Sequence, residues 1–347
     1  MARLFTVSVP HTSTTREYSF CAFTSLTMTW ATMMHRLGHE VILFAGPENE
    51  AEVTEHINCQ NGYEWTERIP PYDDTHPGWS AFAEKAIAEI GKRIQPGDYL
   101  CLAAGWTQKP IADAFPNNRA VEFITGYQGT LPNSFRVFPS YTWQSAVYAH
   151  QMTAAGADGR LYDTVIPHFI DPSEHSLGDG SGDYMLYVGR LTERKGLKVV
   201  ADIAARNGRK LIVAGFGNES LIPPGATFVG SVEPALRSEL MRNARCVIMP
   251  TLYIEPFGMV AIESMAAGTP VINTDFGAFS ETNIHGETGF RCHTLAEFCE
   301  AVESSGYLNR QKIHEYAIGK YSTDAIGPQY EKYFNRLDTL NGAGWYA

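Results

Sequence analysis

Short apolar stretches alternate with segments of helical spacing along most of this 347-residue chain. The predicted strands are residues 4–9, 41–44, 99–103 and 120–124 in the first half, and 184–188, 210–214, 227–229, 246–249 and 271–273 in the second. The predicted helices are residues 19–37, 81–94, 195–207, 234–243 and 257–267. Strands that alternate with helices predict parallel sheets covered by helices, and right-handed crossovers join them into Rossmann-like α/β units.

The length of the chain suits two such units. Residues 171–183 are rich in Gly, Ser and Asp, so they are predicted to be a linker. This division gives an N-terminal Rossmann-like domain at 1–170, a C-terminal Rossmann-like domain at 184–322 and a final segment at 323–347. Apolar residues at helical spacing in the final segment predict a helix there.

Composition and charge narrow the functional classes. The formal net charge of −11 argues against a general nucleic-acid-binding protein, because phosphate contacts need clustered Lys and Arg. No apolar run approaches the ~20 residues that span a bilayer. The six cysteines form no C-x-x-C pair and the eleven histidines form no metal set. We therefore expect reduced thiols, no metal and a cytoplasmic protein.

Two glutamates, Glu255 and Glu263, lie eight residues apart around a Pro-Phe-Gly turn. Pro256 is predicted at the first helical position, where its missing N–H costs nothing, and Gly268 just beyond the helix end. Glu255 would then lie at the helix N-terminus, beside free N–H groups, with Glu263 about two turns further on. One carboxylate suits a sugar ring and the other suits the two hydroxyls of a ribose. The alternative is an ordinary capped helix with two solvated glutamates.

A basic cluster follows the predicted strand 184–188. Ligands of open parallel sheets bind where such strands end. Here the guanidinium of Arg190 offers a planar fork for phosphate oxygens, and Lys195 offers a compact cation. A solvated basic turn is the alternative. After the next strand, Gly215 and Gly217 allow the backbone to approach a nucleotide closely.

With their flanking residues, these motifs resemble the retaining GT-B glycosyltransferases, specifically glycosyltransferase family 4, also called glycosyl transferases group 1. The family signature is P-S-x-x-E-P-F-G-x-x-x-x-E-A-x-A-x-G-x-P-V, and residues 250–271 follow it with small departures. Thr251 replaces the serine, Ser264 replaces the alanine, and the lead-in to Glu255 is one residue longer. The spacing between the two glutamates is kept.

The resemblance implies the GT-B fold, in which two Rossmann-like domains have parallel sheets that face each other across a cleft. It also implies that the C-terminal helix crosses back to the N-terminal domain. The implied activity is that of a retaining hexosyltransferase. Its donor substrate is a nucleotide-diphosphate sugar, held mainly by the C-terminal domain. No D-x-D motif lies at the end of a predicted strand, so we expect neither metal nor cofactor, with Arg190 and Lys195 in the role of the metal.

The resemblance further implies a role for each motif residue. Arg190 and Lys195 hold the diphosphate, Glu263 holds the ribose, and Glu255 positions the transferred sugar. The catalytic residues are therefore predicted to be Arg190, Lys195 and Glu255. The other donor-binding residues are predicted to be Gly189, Gly215, Gly217, Val232, Pro256, Phe257 and Gly258.

The N-terminal half departs from the family pattern. Family 4 enzymes often carry a Gly-Gly loop after the first strand, whereas residues 10–24 contain no glycine and are rich in hydroxyl groups. Those hydroxyls are candidate anion donors. The predicted acceptor-side residues are Arg16, Trp106, Tyr127 and Gln128, each of which also fits a surface, core or turn role.

Two alternatives to a glycosyltransferase remain at this point. One is a non-catalytic nucleotide-sugar-binding protein, and the other is a different GT-B enzyme such as a sugar-nucleotide epimerase. The acceptor is a sugar, a lipid, a small metabolite or a modified nucleobase, and no motif selects among these classes. The base and the sugar of the donor are likewise open, because backbone contacts and pocket shape decide them.

Overall fold

The computed structural model describes residues 1–60, 75–153 and 156–340. The chain divides into two compact units. The first contains Met1–His168 together with the C-terminal residues from Ile326, and the second is Phe169–Ala325. The chain therefore leaves the first unit and re-enters it.

The described residues form two sheets and the helices that cover them. The strands are β1 (Arg3–Val7), β2 (Glu40–Ala45), β3 (Glu55–Asn58), β4 (Tyr99–Leu102), β5 (Arg119–Glu122), β6 (Phe135–Phe138), β7 (Thr164–Val165), β8 (Met185–Val188), β9 (Leu211–Ala214), β10 (Thr227–Phe228), β11 (Cys246–Met249), β12 (Val271–Thr274) and β13 (Gly289–Cys292). The helices are α1 (Ala22–Arg36), α2 (Pro77–Gly91), α3 (Lys109–Ala114), α4 (Tyr141–His150), α5 (Leu197–Asn207), α6 (Pro234–Asn243), α7 (Met259–Ala266), α8 (Phe279–Thr282), α9 (Leu295–Ser304), α10 (Arg310–Tyr321) and α11 (Thr323–Asp338).

Both sheets are parallel, and their first six strands follow the same order, with β7 as a seventh strand at the edge of the first sheet. The first unit has the order β3-β2-β1-β4-β5-β6-β7, and the second has β10-β9-β8-β11-β12-β13. In each sheet the order reverses once, between β1 and β4 in the first unit and between β8 and β11 in the second. Open α/β sheets bind ligands outside the carboxyl ends of the strands at this reversal. The topology thus singles out the loops after β1 and β4 in the first unit and the loops after β8 and β11 in the second.

Helix α11 completes the core of the first unit. The ring of Trp30 stacks on Phe123 at 4.2 Å and meets Tyr330 of α11 edge-on at 6.0 Å. The Tyr330 hydroxyl donates a hydrogen bond of 2.6 Å to the carbonyl oxygen of Phe123. Aromatic contacts of this kind add to the free energy gained from burying the rings.

The sequence predictions of the fold hold for the central strands. Each of the nine predicted strands corresponds to an observed strand whose ends lie within two residues of the predicted ones. The strands β3, β6, β7 and β13 were not predicted. Among the helices of the described residues, none has the length and apolar character that crossing a membrane requires. All six cysteines carry free thiols.

Residues 171–183, predicted as a linker, lie within the second unit. Gly178 donates a backbone hydrogen bond of 3.0 Å to Ala267, and its carbonyl oxygen accepts one of 2.7 Å from Arg310. A Cβ atom at Gly178 would lie 2.2 Å from the carbonyl oxygen of Arg242. Glycine therefore serves close packing at this position.

Candidate functional site

The loops after β8 and β11 lie side by side, because the two strands pair in parallel at the reversal of strand order. The backbone N–H of Leu252 donates a 2.8 Å hydrogen bond to the carbonyl oxygen of Arg194, which joins the two loops. The predicted basic cluster and the first glutamate of the motif are thereby brought to one place.

An ion pair between Lys195 and Glu255 connects the loops after β8 and β11. Lys195 Nζ lies 2.7 Å from Glu255 Oε2, and the side chains are 18% and 11% exposed. The hydroxyl of Tyr253 donates a second hydrogen bond, 2.8 Å long, to the same oxygen. Burial, and then the charge of Glu255, raise the pKa of Tyr253 well above its ordinary value. The phenol therefore stays protonated and remains a donor.

The turn between the glutamates differs from its prediction. Helix α7 begins at Met259, so Pro256 lies before the helix and not at its first position. Gly258 is the N-cap in the left-handed region, at φ +87°, and a Cβ atom there would lie 2.7 Å from the ring of Phe279. This left-handed residue interrupts the helical path that Pro256 would otherwise have begun.

The later helix start changes the surroundings of both glutamates. Glu255 is not at the helix N-terminus: its backbone oxygen accepts a 3.0 Å hydrogen bond from Ala278, and its carboxylate meets Lys195 and Tyr253. Glu263 is the fifth residue of α7, about one turn from its start. The prediction for the other end is confirmed, since Gly268 follows the helix at φ +73°.

Glu263 is buried beside an arginine that the sequence analysis did not single out. Its Oε1 atom lies 3.3 Å from a terminal nitrogen of Arg237, on α6. Its Oε2 atom is buried and accepts no hydrogen bond from the described residues. Burial lowers the pKa of the nearby His175, so that ring adds no fixed positive charge, although Glu263 acts in the opposite direction. A buried acceptor without a donor is costly unless a ligand satisfies it.

Two of the three glycines of the site, Gly215 and Gly217, are required by close contacts between loops. A Cβ atom at Gly215, which has φ +147°, would lie 1.8 Å from the carbonyl oxygen of Gly189. A Cβ atom at Gly217, at φ +133°, would lie 2.7 Å from that of Leu191. The loops after β8 and β9 thus approach each other so closely that neither Gly215 nor Gly217 has room for a side chain.

Arg190 and Val232 differ in their exposure. The side chain of Arg190 is exposed, and its backbone oxygen accepts a 2.8 Å hydrogen bond from the hydroxyl of Tyr187. Burial raises the pKa of Tyr187, which keeps this donor protonated. Val232 is half-buried just before α6.

The four acceptor-side candidates lie in the first unit and differ in what they contact. Arg16 pairs with Glu50 at 3.0 Å on the surface. The hydroxyl of Tyr127 donates a 2.8 Å hydrogen bond to the fully buried Glu122, which gives this tyrosine a structural contact. Trp106 is 48% exposed, and Gln128 is exposed as well.

The part of the chain that the structure describes contains no cluster of potential metal ligands. Within residues 1–60, 75–153 and 156–340, no three His, Cys, Asp or Glu side chains are grouped as metal ligands would be.

Comparison with known proteins finds a family match within the second half of the chain. Residues 173–304 match the family model described as glycosyl transferases group 1. An uncharacterized glycosyltransferase of Methanocaldococcus jannaschii is 32% identical over 163 residues, which are 43% of this chain and 40% of that protein. A glycogen synthase of Mycobacterium tuberculosis is 32% identical over 137 residues, which are 35% of this chain and 33% of the relative. The chain therefore spans less than half the length of these two relatives.

One further relative is similar over a longer stretch. The phosphatidyl-myo-inositol mannosyltransferase of M. tuberculosis is 28% identical over 298 residues, which are 77% of this chain and 77% of that protein. All three relatives are glycosyltransferases or sugar-polymer synthases by name.

Solved structures agree on the fold. Sucrose-phosphate synthase from Thermosynechococcus elongatus aligns with a TM-score of 0.75 and 18% identity, covering 98% of this chain and 100% of that one. Anabaena HepE in complex with UDP-glucose aligns with a TM-score of 0.70 and 15% identity, covering 98% and 100%. These neighbours are GT-B glycosyltransferases, so the two Rossmann-like units are those of the GT-B fold.

Proposed function

Because residues 173–304 match the glycosyl transferases group 1 model, we propose that the chain is a glycosyltransferase using a nucleotide-diphosphate sugar as donor. The observation that carries the proposal is the placement of the Lys195–Glu255 pair at the reversal of strand order in the second unit. At this edge the cation can bind a phosphate group and the carboxylate can bind a sugar hydroxyl of the same ligand.

The donor contacts follow from the chemistry of each side chain. Arg190 and Lys195 bind the diphosphate and neutralise the charge that grows on it as the sugar leaves. Glu263 accepts the ribose hydroxyls, and its buried Oε2 atom, which accepts no hydrogen bond from the described residues, supports this role. Glu255 and the backbone N–H groups of Phe257 and Gly258 hold hydroxyls of the transferred sugar.

The glycines, Val232 and Pro256 complete the proposed donor site. Gly189, Gly215 and Gly217 shape the loops around the phosphates, and Val232 lines the base. Transfer proceeds with retention of anomeric configuration, as the resemblance to family 4 implies. It needs no metal in this proposal, because Arg190 and Lys195 supply the positive charge at the diphosphate. The leaving phosphate then takes the proton of the acceptor hydroxyl.

The acceptor site belongs to the first unit in this proposal. Trp106 and Gln128 are its stronger candidates, because both side chains are exposed. The ion pair of Arg16 and the buried hydrogen bond of Tyr127 favour structural roles for these two residues. The acceptor is a hydroxyl compound, and a sugar, a lipid, a small metabolite and a modified nucleobase all fit that description.

A thermal-shift screen tests the proposal. UDP-, GDP-, ADP- and TDP-sugars are each added with and without EDTA, starting from UDP-glucose because HepE was solved with it. We expect one donor to raise the melting temperature equally in both conditions, since a ligand that binds only the folded state stabilises it. Absence of any shift contradicts the proposal, and a shift that EDTA abolishes contradicts metal independence.

Turnover separates the alternatives. The selected donor is incubated with a panel of hydroxyl acceptors, and NMR identifies the anomer of the product. An α-linked donor that yields an α-linked product supports retention. Binding without any transfer or hydrolysis favours the non-catalytic alternative, whereas conversion of one nucleotide sugar into another without acceptor favours an epimerase.

A further inference from the structure

Tyr253 contacts Glu255 and Lys195 of the proposed donor site, together with one further cation, Arg194. Its hydroxyl donates to Glu255 Oε2 over 2.8 Å. The guanidinium carbon of Arg194 lies 4.8 Å from the centre of its ring, and Lys195 Nζ lies 5.0 Å from the same centre. Both distances are within the range of cation–π attraction. One side chain thus connects Glu255, Lys195 and Arg194.

The hydrogen bonds of Glu255 are concentrated on one oxygen. Lys195 and Tyr253 both donate to Oε2, while Oε1 accepts no hydrogen bond from the described residues. Two donors on one oxygen fix the orientation of the carboxylate and leave Oε1 as the acceptor for a ligand. Because burial and the charge of Glu255 raise the pKa of Tyr253, its hydroxyl stays protonated and remains a donor.

The ring of Tyr253 accounts for the position of Arg194. The side chain of this arginine is exposed. Stacking over the same ring as Lys195 nevertheless keeps its guanidinium beside the loop that follows β11. Two like charges over one ring repel each other, and an anion between them removes that repulsion.

We propose that Tyr253 is a positioning residue of the donor site. Its hydroxyl orients Glu255 toward the transferred sugar, and its ring adds Arg194 to the cations that bind the diphosphate. The inference rests on the proposed function, since it assigns a residue to the same site. Tyr253 lies in the lead-in to Glu255 that is one residue longer than the family signature.

Two substitutions separate the hydroxyl from the ring. Tyr253→Phe keeps the ring under both cations and removes only the donor to Glu255. Tyr253→Leu removes both. Tyr307→Phe is the matched control, because Tyr307 is 92% exposed and lies outside the site.

Calorimetric titration and steady-state kinetics then use the donor selected by the screen and its nucleoside diphosphate. In Tyr253→Phe we expect kcat and nucleotide-sugar affinity each to fall about tenfold, while the Kd of the nucleoside diphosphate, which has no sugar, stays within about twofold. In Tyr253→Leu we expect the nucleoside diphosphate to bind about fivefold more weakly as well. Arg194→Ala is expected to reproduce this second loss with the hydroxyl intact.

The outcomes distinguish this inference from the proposed function. If the wild type binds a nucleotide sugar and transfers it, but Tyr253→Phe behaves like Tyr307→Phe, the positioning role is wrong and the function stands. Equal losses for the nucleotide sugar and the nucleoside diphosphate in Tyr253→Phe also overturn the role, because the hydroxyl would then not act through the sugar. If the wild type binds neither ligand, both proposals fall together.

Discussion

In the proposed site Lys195 binds the diphosphate and also pairs with Glu255, so one substitution removes both interactions. In Lys195→Ala the diphosphate loses a cation and Glu255 loses the ion pair at 2.7 Å. We expect kcat to fall by about 10²–10³-fold, since the charge on the leaving group grows in the transition state. Donor affinity is expected to fall much less, as measured by calorimetric titration beside steady-state kinetics.

Lys198→Ala is the matched control for this prediction. Lys198 lies one turn away, is largely exposed, and pairs with Glu193 on the surface at 2.9 Å. Surface pairs of this kind contribute little, so kcat is expected to stay at the wild-type value. Equal kcat values for Lys195→Ala and Lys198→Ala would place the diphosphate elsewhere.

Glu263 is expected to act in binding. Glu263→Gln keeps the size of the side chain but removes the negative charge beside Arg237 and one of the two acceptor oxygens. We expect donor affinity to fall by about 10-fold or more, with a smaller change in kcat, because the ribose is bound equally in the ground and transition states. Glu239→Gln, at an exposed position of α6, is the control. If Glu263→Gln binds the donor as tightly as the wild type, Glu263 does not bind the ribose.

The residues proposed for the site were predicted from the sequence, but some of the side chains that contact them were not. Lys195 and Glu255 lie on loops whose convergence follows from the strand order, so both were predictable from motif and topology. Tyr253 and Arg237 were missed because their roles depend on contacts made after folding. The longer lead-in to Glu255 was the one available signal for Tyr253.

At the level of elements, the loops after β8 and β9 approach each other so closely that position 215 tolerates only glycine. A Cβ atom at Gly215 would overlap the carbonyl oxygen of Gly189, and φ is +147°. By contrast, Gly208 at φ +63° has open space around its Cβ position. We expect Gly208→Ala to cost about 1 kcal/mol, as a left-handed residue does, and Gly215→Ala to cost at least about 3 kcal/mol.

Urea unfolding of the two variants measures this difference directly. The midpoint is expected to fall further in Gly215→Ala than in Gly208→Ala at similar slope. Equal midpoints would mean that the loops after β8 and β9 can separate without cost, and the contact between them would not constrain the site.

The elements that were not predicted have weak or interrupted apolar patterns. Strand β3 is a largely exposed edge strand of sequence Glu-His-Ile-Asn, and β7 has only two residues. Strand β6 contains Arg136, whose buried charge is paired with Asp163. A charge within a short apolar run removes the signal on which strand prediction depends. The start of α7 was misplaced because a left-handed Gly258 cannot be recognised from spacing alone.

For the whole molecule, the division into two units predicts that a substitution can destabilise the first unit without changing donor binding by the second. Phe334 of α11 is buried in the first unit, with its ring 4.9 Å from Tyr99 and 6.4 Å from Trp30. Phe334→Ala removes these contacts and leaves a cavity, so we expect the first unit to lose about 3–5 kcal/mol. The donor residues of the second unit keep their own core.

Scanning calorimetry with and without the selected donor tests this separation. In Phe334→Ala we expect the transition of the first unit to move to lower temperature, while the donor still raises the transition of the second unit by the wild-type amount. Tyr307→Ala, at an exposed position, is expected to change neither transition. If Phe334→Ala also abolishes the donor-induced shift, donor binding requires an intact first unit, and the site is not a property of the second unit alone.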